Sequence, residues 1–254
     1  MTQAGEAPVS SIAHAFPDRV EVRGRDLTGD LMGRLSFTEY FHLLLTGREP
    51  TDDQRYFLDL LLVAIAEHGL MPTNVAARMT LAADPTSLQG AVAAGILGAG
   101  PVVLGTSEEC ARLLADGVAA NRDPGELACE LHAAASRVPG FGHPVHRPVD
   151  PRAERILALA DERGVSGRHV GFARGLRDAV AATWGRPLTL NVSMPIAAVL
   201  LDLGYPATAA KAVPILARTA SLLAHLAEER ERPLGLLLAA AAEDAVGYEA
   251  DARA

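Results

Sequence analysis

The chain has 254 residues, which is enough to bury a full hydrophobic core in one large domain or in a domain with a small lobe. Hydrophobic residues make up 49% of it but aromatic residues only 4%, so alanine, leucine and valine dominate the core and favour closely packed helices over β-sandwiches. The net charge of -8 provides no positive field, so we expect neither nucleic acid nor an anionic membrane as a partner.

The first part of the chain lacks helical patterning. Residues 1 to about 16 have no periodicity, and we expect a frayed terminus there. Arg19 to Arg25 alternates enough for one short extended segment, which cannot form a sheet by itself. The helices are therefore expected to begin after this segment.

Capping patterns then predict a series of short helices. Ser36 with Glu39 forms a capping box that opens a helix ending at Gly47, and Thr51 with Gln54 opens another that reaches about residue 68. We predict further helices at residues 72–83, 87–97, 107–114, 123–136, 152–162, 168–184, 191–203 and 207–230, with a weaker one after residue 233.

Three features predict a cytoplasmic protein. The first 15 residues have neither a charged start nor a long apolar run, so we expect no signal peptide or anchor. Apolar runs elsewhere fall far short of the roughly 20 residues that a membrane-spanning helix needs. Cys110 and Cys129 have no C-x-x-C spacing, and we expect both to be reduced thiols of the core.

A proline-rich loop interrupts the helices at residues 138–151, where the sequence is VPGFGHPVHRPVDP. Four prolines and two glycines in 14 positions hold such a segment in a set conformation. The loop presents His143, His146 and Arg147, and Arg152 follows in the first turn of the next helix. A helix N-terminus and an arginine together favour a carboxylate or phosphate ligand. The alternative is a loop that only turns the chain between two helices.

A second alternative for this loop is a metal site. Neutral imidazoles and a carboxylate suit zinc or iron, so His143, His146 and Asp150 are a possible ligand set. The chain has no recognised zinc-binding spacing, however. We therefore expect no metal and no redox cofactor.

The sequence PGFGHPVHRPVDPRA resembles the loop of the citrate synthase family, in which P-G-F-G-H leads to D-P-R-A. The resemblance implies an all-α, citrate synthase-like fold with a large helical domain and a smaller helical lobe. It implies that His143 contacts the carbonyl or hydroxyl oxygen of oxaloacetate or citrate, and that Arg152 holds a carboxylate. The residues that it implies against coenzyme A are Val138, Pro139, Gly140, Phe141 and Gly142.

The resemblance extends over most of the chain. It implies one citrate synthase-like unit over residues 1–254, with the large domain at about 20–136 and 186–254 and the small lobe at about 137–185. Members of the family complete their sites across a subunit interface, so it also implies a homodimer.

Further site residues follow from the same resemblance. The A-E-H segment at His68 is similar to the one whose histidine contacts the oxaloacetate end of the substrate; a polar helix end is the alternative. The A-R-T segment at Arg218 is similar to the helix whose arginine binds a second carboxylate. Arg232 lies roughly where members of the family have an arginine that reaches the partner subunit's site. The alternative is a solvated charge in the E-E-R-E-R run.

Two positions depart from the family's pattern. Val103 replaces a histidine that hydrogen-bonds the thioester oxygen, and Ser193 replaces the aspartate that moves the acetyl-CoA α-proton. A positioned acid or base contributes roughly 100- to 10,000-fold in rate. The loss of both groups should therefore leave almost no condensation of acetyl-CoA with oxaloacetate. Cleavage is less affected if His143 takes the hydroxyl proton and a water held by Ser193 protonates the enolate.

The short length, the H-P-V-H variant and the A-H-L-A-E-E-x-E-R-P ending are most similar to the compact members called citryl-CoA lyases. This implies cleavage of citryl-CoA, or a related β-hydroxyacyl-CoA, into acetyl-CoA and oxaloacetate, with the coenzyme A thioester as a substrate. The alternative, favoured by Val103 and Ser193, is a catalytically impaired relative that binds acyl-CoA or a carboxylate in a regulatory role.

Overall fold

The computed structural model describes residues 9–249, and α-helices account for most of them. This confirms the all-α prediction. In the described range the α-helices are α1 (Phe37–Thr46), α2 (Asp52–Ala66), α3 (Pro72–Ala83), α4 (Leu88–Leu97), α5 (Thr106–Ala119), α6 (Pro124–Ala133), α7 (Pro151–Glu162), α8 (Arg168–Thr183), α9 (Ser193–Asp202), α10 (Ala209–Glu231) and α11 (Gly235–Ala245). A short π-helix at Leu27–Leu31 precedes them.

A small antiparallel sheet precedes the helices. It joins β1 (Ala13–Ala15), β2 (Val20–Val22) and β3 (Arg25–Asp26) in that order. The predictions of a frayed segment up to residue 16 and of a single strand are therefore wrong for this part of the chain. The strands are too short for a periodic pattern to reveal them, and they are held by pairing with each other. The frayed prediction for residues 1–8 lies outside the described residues.

Side-chain caps set the starts of the first two helices. The Ser36 hydroxyl accepts from the Glu39 N–H at 3.3 Å, and the Glu39 carboxylate accepts from the Ser36 N–H at 2.7 Å. Thr51 and Gln54 exchange the same two bonds at 3.2 and 2.9 Å. Both predicted capping boxes are confirmed.

Helix α5 is longer than predicted. It begins at Thr106 and continues to Ala119, past the expected end at Leu114. Gly117 lies in the added turn, where a Cβ atom would come within 2.6 Å of the Phe172 ring. Tertiary packing against α8 thus outweighs the low helix propensity of glycine at this position.

The chain divides into two compact units, one ending at Asp59 and the other beginning at Leu60. In the second unit, α3 packs against α4, α10 and α11. The contact of α3 with α4 and α10 is filled by Ala77, Leu81, Ala91, Leu222 and Leu226. The predicted division into a large domain and a lobe at residues 137–185 stays a prediction.

Helix α9 lies at the centre of the second unit. It contacts α5, α7, α8 and α10, and its residues from Met194 to Leu200 are all buried. A helix that is apolar on every face needs such enclosure. Its first residue is Ser193, so this packing sets the position of that side chain.

The two cysteines differ in their surroundings. Cys110 is buried, as predicted, but Cys129 is exposed, so the prediction of a core thiol is wrong there. Helix α6 buries Leu127 and Ala128 instead, and Cys129 lies off that face. None of the helices in residues 9–249 combines the length and the apolar character needed to cross a membrane.

Candidate active site

The proline-rich loop is held against the segment that leads into α9. The Gly142 N–H donates to the Thr189 carbonyl at 2.8 Å, and the Asn191 N–H donates to the Gly140 carbonyl at 2.9 Å. The Asn191 side-chain amide donates to the Gly142 carbonyl at 2.9 Å. These bonds fix the backbone immediately before His143.

His143 is held as a hydrogen-bond donor. Its Nδ1 accepts from the backbone N–H groups of Val145 at 3.1 Å and His146 at 2.8 Å. A neutral imidazole that accepts at Nδ1 carries its proton on Nε2. Burial first, and then the charge of neighbouring His146, lower the pKa of His143. The neutral ring therefore presents an Nε2–H.

Arg152 lies beside His143 at the N-terminus of α7. Its Nη2 is 3.3 Å from His143 Nε2. Guanidinium has no acceptor, so two donors face each other here. An oxygen atom of a ligand would satisfy both of them, and the adjacent helix N-terminus adds a further preference for an anion.

Buried Asp150 orients Arg152. It caps α7 by accepting from the Arg152 N–H, and it also accepts from the Val192 N–H at 3.1 Å. Burial acts to raise the pKa of Asp150, but hydrogen bonds and charge from Arg152 outweigh it and lower the pKa overall. Asp150 is thus an ionised partner of Arg152. The sequence analysis missed this role, although an aspartate directly before Pro151 is a recognisable helix N-cap signal.

Arg218, on α10, contributes a second cation. It is 3% exposed, and its Nη1 donates to the Asn74 side-chain oxygen at 2.7 Å. Its Nε has no partner among the described residues. A buried donor left without a partner costs about 1–3 kcal/mol, so a ligand that accepts from Nε would relieve this cost.

His68 follows the end of α2 and contacts the loop. Its Nε2 lies 3.2 Å from His146 Nε2, and its ring centroid is 5.2 Å from that of His143. Burial first, and then the charge of Arg152, lower the pKa of His68. His68 is therefore a neutral imidazole near pH 7.

Glu67 ties this histidine to α10. The carboxylate accepts from the Ser221 hydroxyl at 2.6 Å, from His225 Nε2 at 3.0 Å and from the His68 N–H at 2.8 Å. Burial acts to raise the pKa of Glu67, but these hydrogen bonds lower it to about 2. Arg78, only 1% exposed, donates from Nε to His225 Nδ1 at 3.1 Å, so His225 carries its proton on Nε2 and donates to Glu67.

Some of these side chains line one cavity of about 440 Å³. The predicted residues that line it are His68, Phe141, Gly142, His143, Arg152, Ser193 and Arg218. The lining also has an aliphatic part, which consists of Ile65, Met71, Val102, Val103 and Leu104. Among the described residues, no aspartate or glutamate lines the cavity.

The remaining predicted residues lie elsewhere. Val138 and Gly140, at the start of the loop, are buried and, like Pro139, do not line the cavity. Arg232 is exposed at the end of α10 and is also outside the cavity lining. The predicted roles of these residues, toward coenzyme A and in a partner's site, stay predictions.

The three histidines could form a metal site by distance alone, since one nitrogen of each lies within 4.8 Å of the others. The hydrogen bonds argue against it. Nδ1 of His143 accepts two N–H groups, so Nε2 keeps its proton and cannot bind a metal, and the Arg152 guanidinium beside it repels cations. Asp150, the third member of the ligand set considered from sequence, is engaged by Arg152 and Val192.

Comparison with known proteins identifies the family. The model for "Citrate synthase, C-terminal domain" matches residues 9–235. The citrate synthases of Saccharolobus solfataricus and Synechocystis are 26% and 30% identical over 76% and 77% of this chain. The chain spans about half the length of these curated relatives, 52% and 50% respectively.

Solved structures share the fold. Citryl-CoA lyase from Hydrogenobacter thermophilus is 27% identical, with a TM-score of 0.85 over 98% of this chain and 97% of that one. ATP citrate lyase from Methanothrix soehngenii, solved in complex with citrate and coenzyme A, has a TM-score of 0.81 at 18% identity. The match covers 99% of this chain and 43% of that one. The chain therefore belongs to the citrate synthase family.

Proposed function

We propose that this protein cleaves citryl-CoA, or a closely related β-hydroxyacyl-CoA, into an acyl-CoA and a keto acid such as oxaloacetate. One observation carries the proposal: Arg152, Arg218 and the Nε2–H of His143 line the same cavity. The Hydrogenobacter structure supports it as well, because that citryl-CoA lyase matches this chain over nearly the full length of both.

The cavity provides separate positions for the parts of such a substrate. Arg152 and Arg218 each hold a carboxylate, and the unpartnered Nε of Arg218 supplies a donor for one of them. The His143 Nε2–H donates to the substrate hydroxyl oxygen and stabilises negative charge as that oxygen becomes a carbonyl. The aliphatic part of the lining excludes water from the acyl group.

The reaction moves one proton overall. The hydroxyl proton leaves, the carbonyl forms, and the C–C bond breaks with its electron pair passing to the thioester enolate, whose α-carbon then takes a proton. His143 is a poor acceptor for the hydroxyl proton, because both its ring nitrogens are already committed, Nδ1 to backbone donors and Nε2 to its own hydrogen. We therefore assign His143 to oxygen stabilisation, in place of the proton transfer expected from sequence.

Coenzyme A and a second copy of the chain complete the proposal. The thioester end lies at Phe141 and Gly142, which line the cavity, and the preceding residues Val138 and Gly140 are buried. Arg232 acts in the site of the partner in a homodimer. Mixing inactive His143→Ala and Arg232→Ala subunits restores turnover only if the two residues serve one site from different chains.

A second candidate function is binding without turnover. Ser193 and Val103, at the positions of the family's aspartate and histidine, line the cavity and supply neither a carboxylate nor an imidazole. In this case the protein binds citrate or an acyl-CoA and regulates a partner.

The deciding experiment measures oxaloacetate release from citryl-CoA, coupled to malate dehydrogenase. Wild type is compared with His143→Ala, Ser193→Asp and, as a matched control, His132→Ala on the exposed face of α6. Release that His143→Ala abolishes and His132→Ala leaves unchanged supports the lyase. No release by the wild type, with gain in Ser193→Asp, supports a binding protein descended from an enzyme.

A further inference from the structure

His146 belongs to the site without lining the cavity. Its Nε2 lies 3.2 Å from His68 Nε2, and its ring centroid is 4.4 Å from that of His143. Its backbone N–H is one of the two donors to His143 Nδ1. His146 therefore touches both histidines that line the cavity.

The contact between His68 and His146 requires a shared proton. Two Nε2 atoms at 3.2 Å form a hydrogen bond only if one of them carries a hydrogen and the other does not. When His68 is the donor, its Nδ1 is left with a lone pair. When a second proton reaches Nδ1, the resulting positive charge is spread over two rings.

A proton acceptor is otherwise missing from the cavity. Among the described residues that line it there is no carboxylate, the three arginines (Arg137, Arg152 and Arg218) cannot accept a proton, and His143 is committed as a donor. Ser193 and Thr106 are hydroxyls and are not bases at neutral pH. His68 is the one described cavity side chain that remains for this role.

We propose that His68 and His146 form the acid–base pair of this site, with His68 as the catalytic base and His146 as the positioning residue that shares its proton. This inference rests on the proposed cleavage reaction. The substrate hydroxyl proton passes to His68 Nδ1 while the Nε2 proton is shared with His146. After the C–C bond breaks, the pair returns one proton to the α-carbon of the enolate, so the pair ends as it began.

The surrounding charges suit a base that must also act as an acid. Burial, Arg152 and then His146 disfavour a positive charge on His68, whereas a hydrogen bond to its own backbone and the charge of Asp150 favour it. The Glu67 carboxylate holds the His68 backbone N–H. Because burial and then Arg152 lower its pKa, His68 is unprotonated at pH 7 and its conjugate acid gives the proton back readily. The substrate carboxylates offset the added cation.

The first test compares His146→Leu, His146→Gln and the control His132→Gln in the oxaloacetate-release assay. His146→Leu is expected to lower kcat by about 10- to 100-fold and to shift the acidic limb of the kcat/KM profile, since positioned acid–base groups contribute about 100-fold or more. Citrate binding should change by less than twofold by calorimetry. His146→Gln, which can still hydrogen-bond, should recover part of kcat. An unchanged kcat and pH profile in His146→Leu would overturn the inference.

A second readout does not depend on turnover. Histidine-labelled ¹⁵N NMR reports which ring nitrogen carries a proton, with assignments from the single variants. The expected result is one protonated and one bare Nε2 in the His68 and His146 pair, and Nε2–H at His143. If the Nε2 atoms of His68 and His146 were both unprotonated or both protonated at pH 7, the proposed hydrogen bond between them would be overturned. Absence of oxaloacetate release by the wild type would instead count against the proposed function, so the two failures are distinguishable.

Discussion

Asp150 binds Arg152 with both carboxylate oxygens. Arg152 Nε donates to Oδ1 at 3.1 Å and Nη2 donates to Oδ2 at 2.9 Å, and the Asp150 side chain is fully buried. The arginine is thereby held on the His143 side of the cavity before any substrate arrives. Pre-orientation of this kind reduces the entropic cost of binding.

Asp150→Asn tests this relationship. The amide keeps the helix cap but loses the charge and one acceptor, so the free energy of unfolding should fall by about 1.5–3 kcal/mol, and citrate affinity should fall with it. Urea denaturation and calorimetry measure the two effects. The matched control is Asp123→Asn. Asp123 caps α6 and has no arginine partner within residues 9–249, so this change should lower the free energy of unfolding by less than about 0.5 kcal/mol. Equal losses in both variants would contradict the role of the ion pair.

Arg218→Lys tests the second cation. Lysine keeps the positive charge but lacks the planar fork that supplies the unpartnered Nε, so citrate should bind about 10- to 100-fold more weakly, equivalent to the ~1.5–3 kcal/mol of a charged hydrogen bond. Isothermal titration calorimetry gives the affinities. Arg155→Lys, at an exposed pair with Glu162, should bind citrate as the wild type does. Undiminished binding by Arg218→Lys would show that the fork does not contact the ligand.

Gly140 and Gly142 form a natural pair of test positions. Both have left-handed backbones, with φ of 80° and 85°. A Cβ at Gly140 would lie 2.8 Å from Met194 Cε and 2.9 Å from Cys110 Sγ, whereas nothing lies within 4 Å at Gly142.

Gly142→Ala should therefore lower the free energy of unfolding only by the backbone strain, about 1–2 kcal/mol. Gly140→Ala should lower it by a further ~1–3 kcal/mol, because the added methyl group overpacks the contact. Thermal unfolding of the two variants gives the difference. Similar melting temperatures would mean that the contact with α5 and α9 does not constrain the loop.

Glu67→Gln should change how stability depends on pH. The pKa of Glu67 in the folded protein is about 2, below its usual 4.5, so the unfolded chain binds the extra proton first and the stabilisation is lost as pH falls from 4.5 toward 2. At pH 7, Glu67→Gln should melt at a lower temperature than the wild type. The gap should narrow on acidification, and a constant gap would contradict the assignment. The exposed Glu162 serves as the control, and Glu162→Gln should show little difference at any pH.

Much of the architecture was predictable because its signals are local. The capping boxes at Ser36 and Thr51 begin helices where we expected them. The proline-rich loop contains His143, and Arg152 follows nine positions later in the first turn of the next helix. Local signals of this kind depend on residues within a few positions of each other. Helix identity could therefore be derived from the sequence, whereas the short strands β1 to β3, which depend on pairing, could not.

Only the tertiary structure decided which of these residues meet. His68 and Arg218 are 150 positions apart and line one cavity because α2 and α10 bring them there, and no periodic pattern encodes that distance. Hydrogen bonds likewise decide which nitrogen of His143 is protonated, how Asp150 holds Arg152 and how His68 contacts His146. The sequence by itself determined the helices, the loop and the family, whereas long-range packing decided the chemistry of the site.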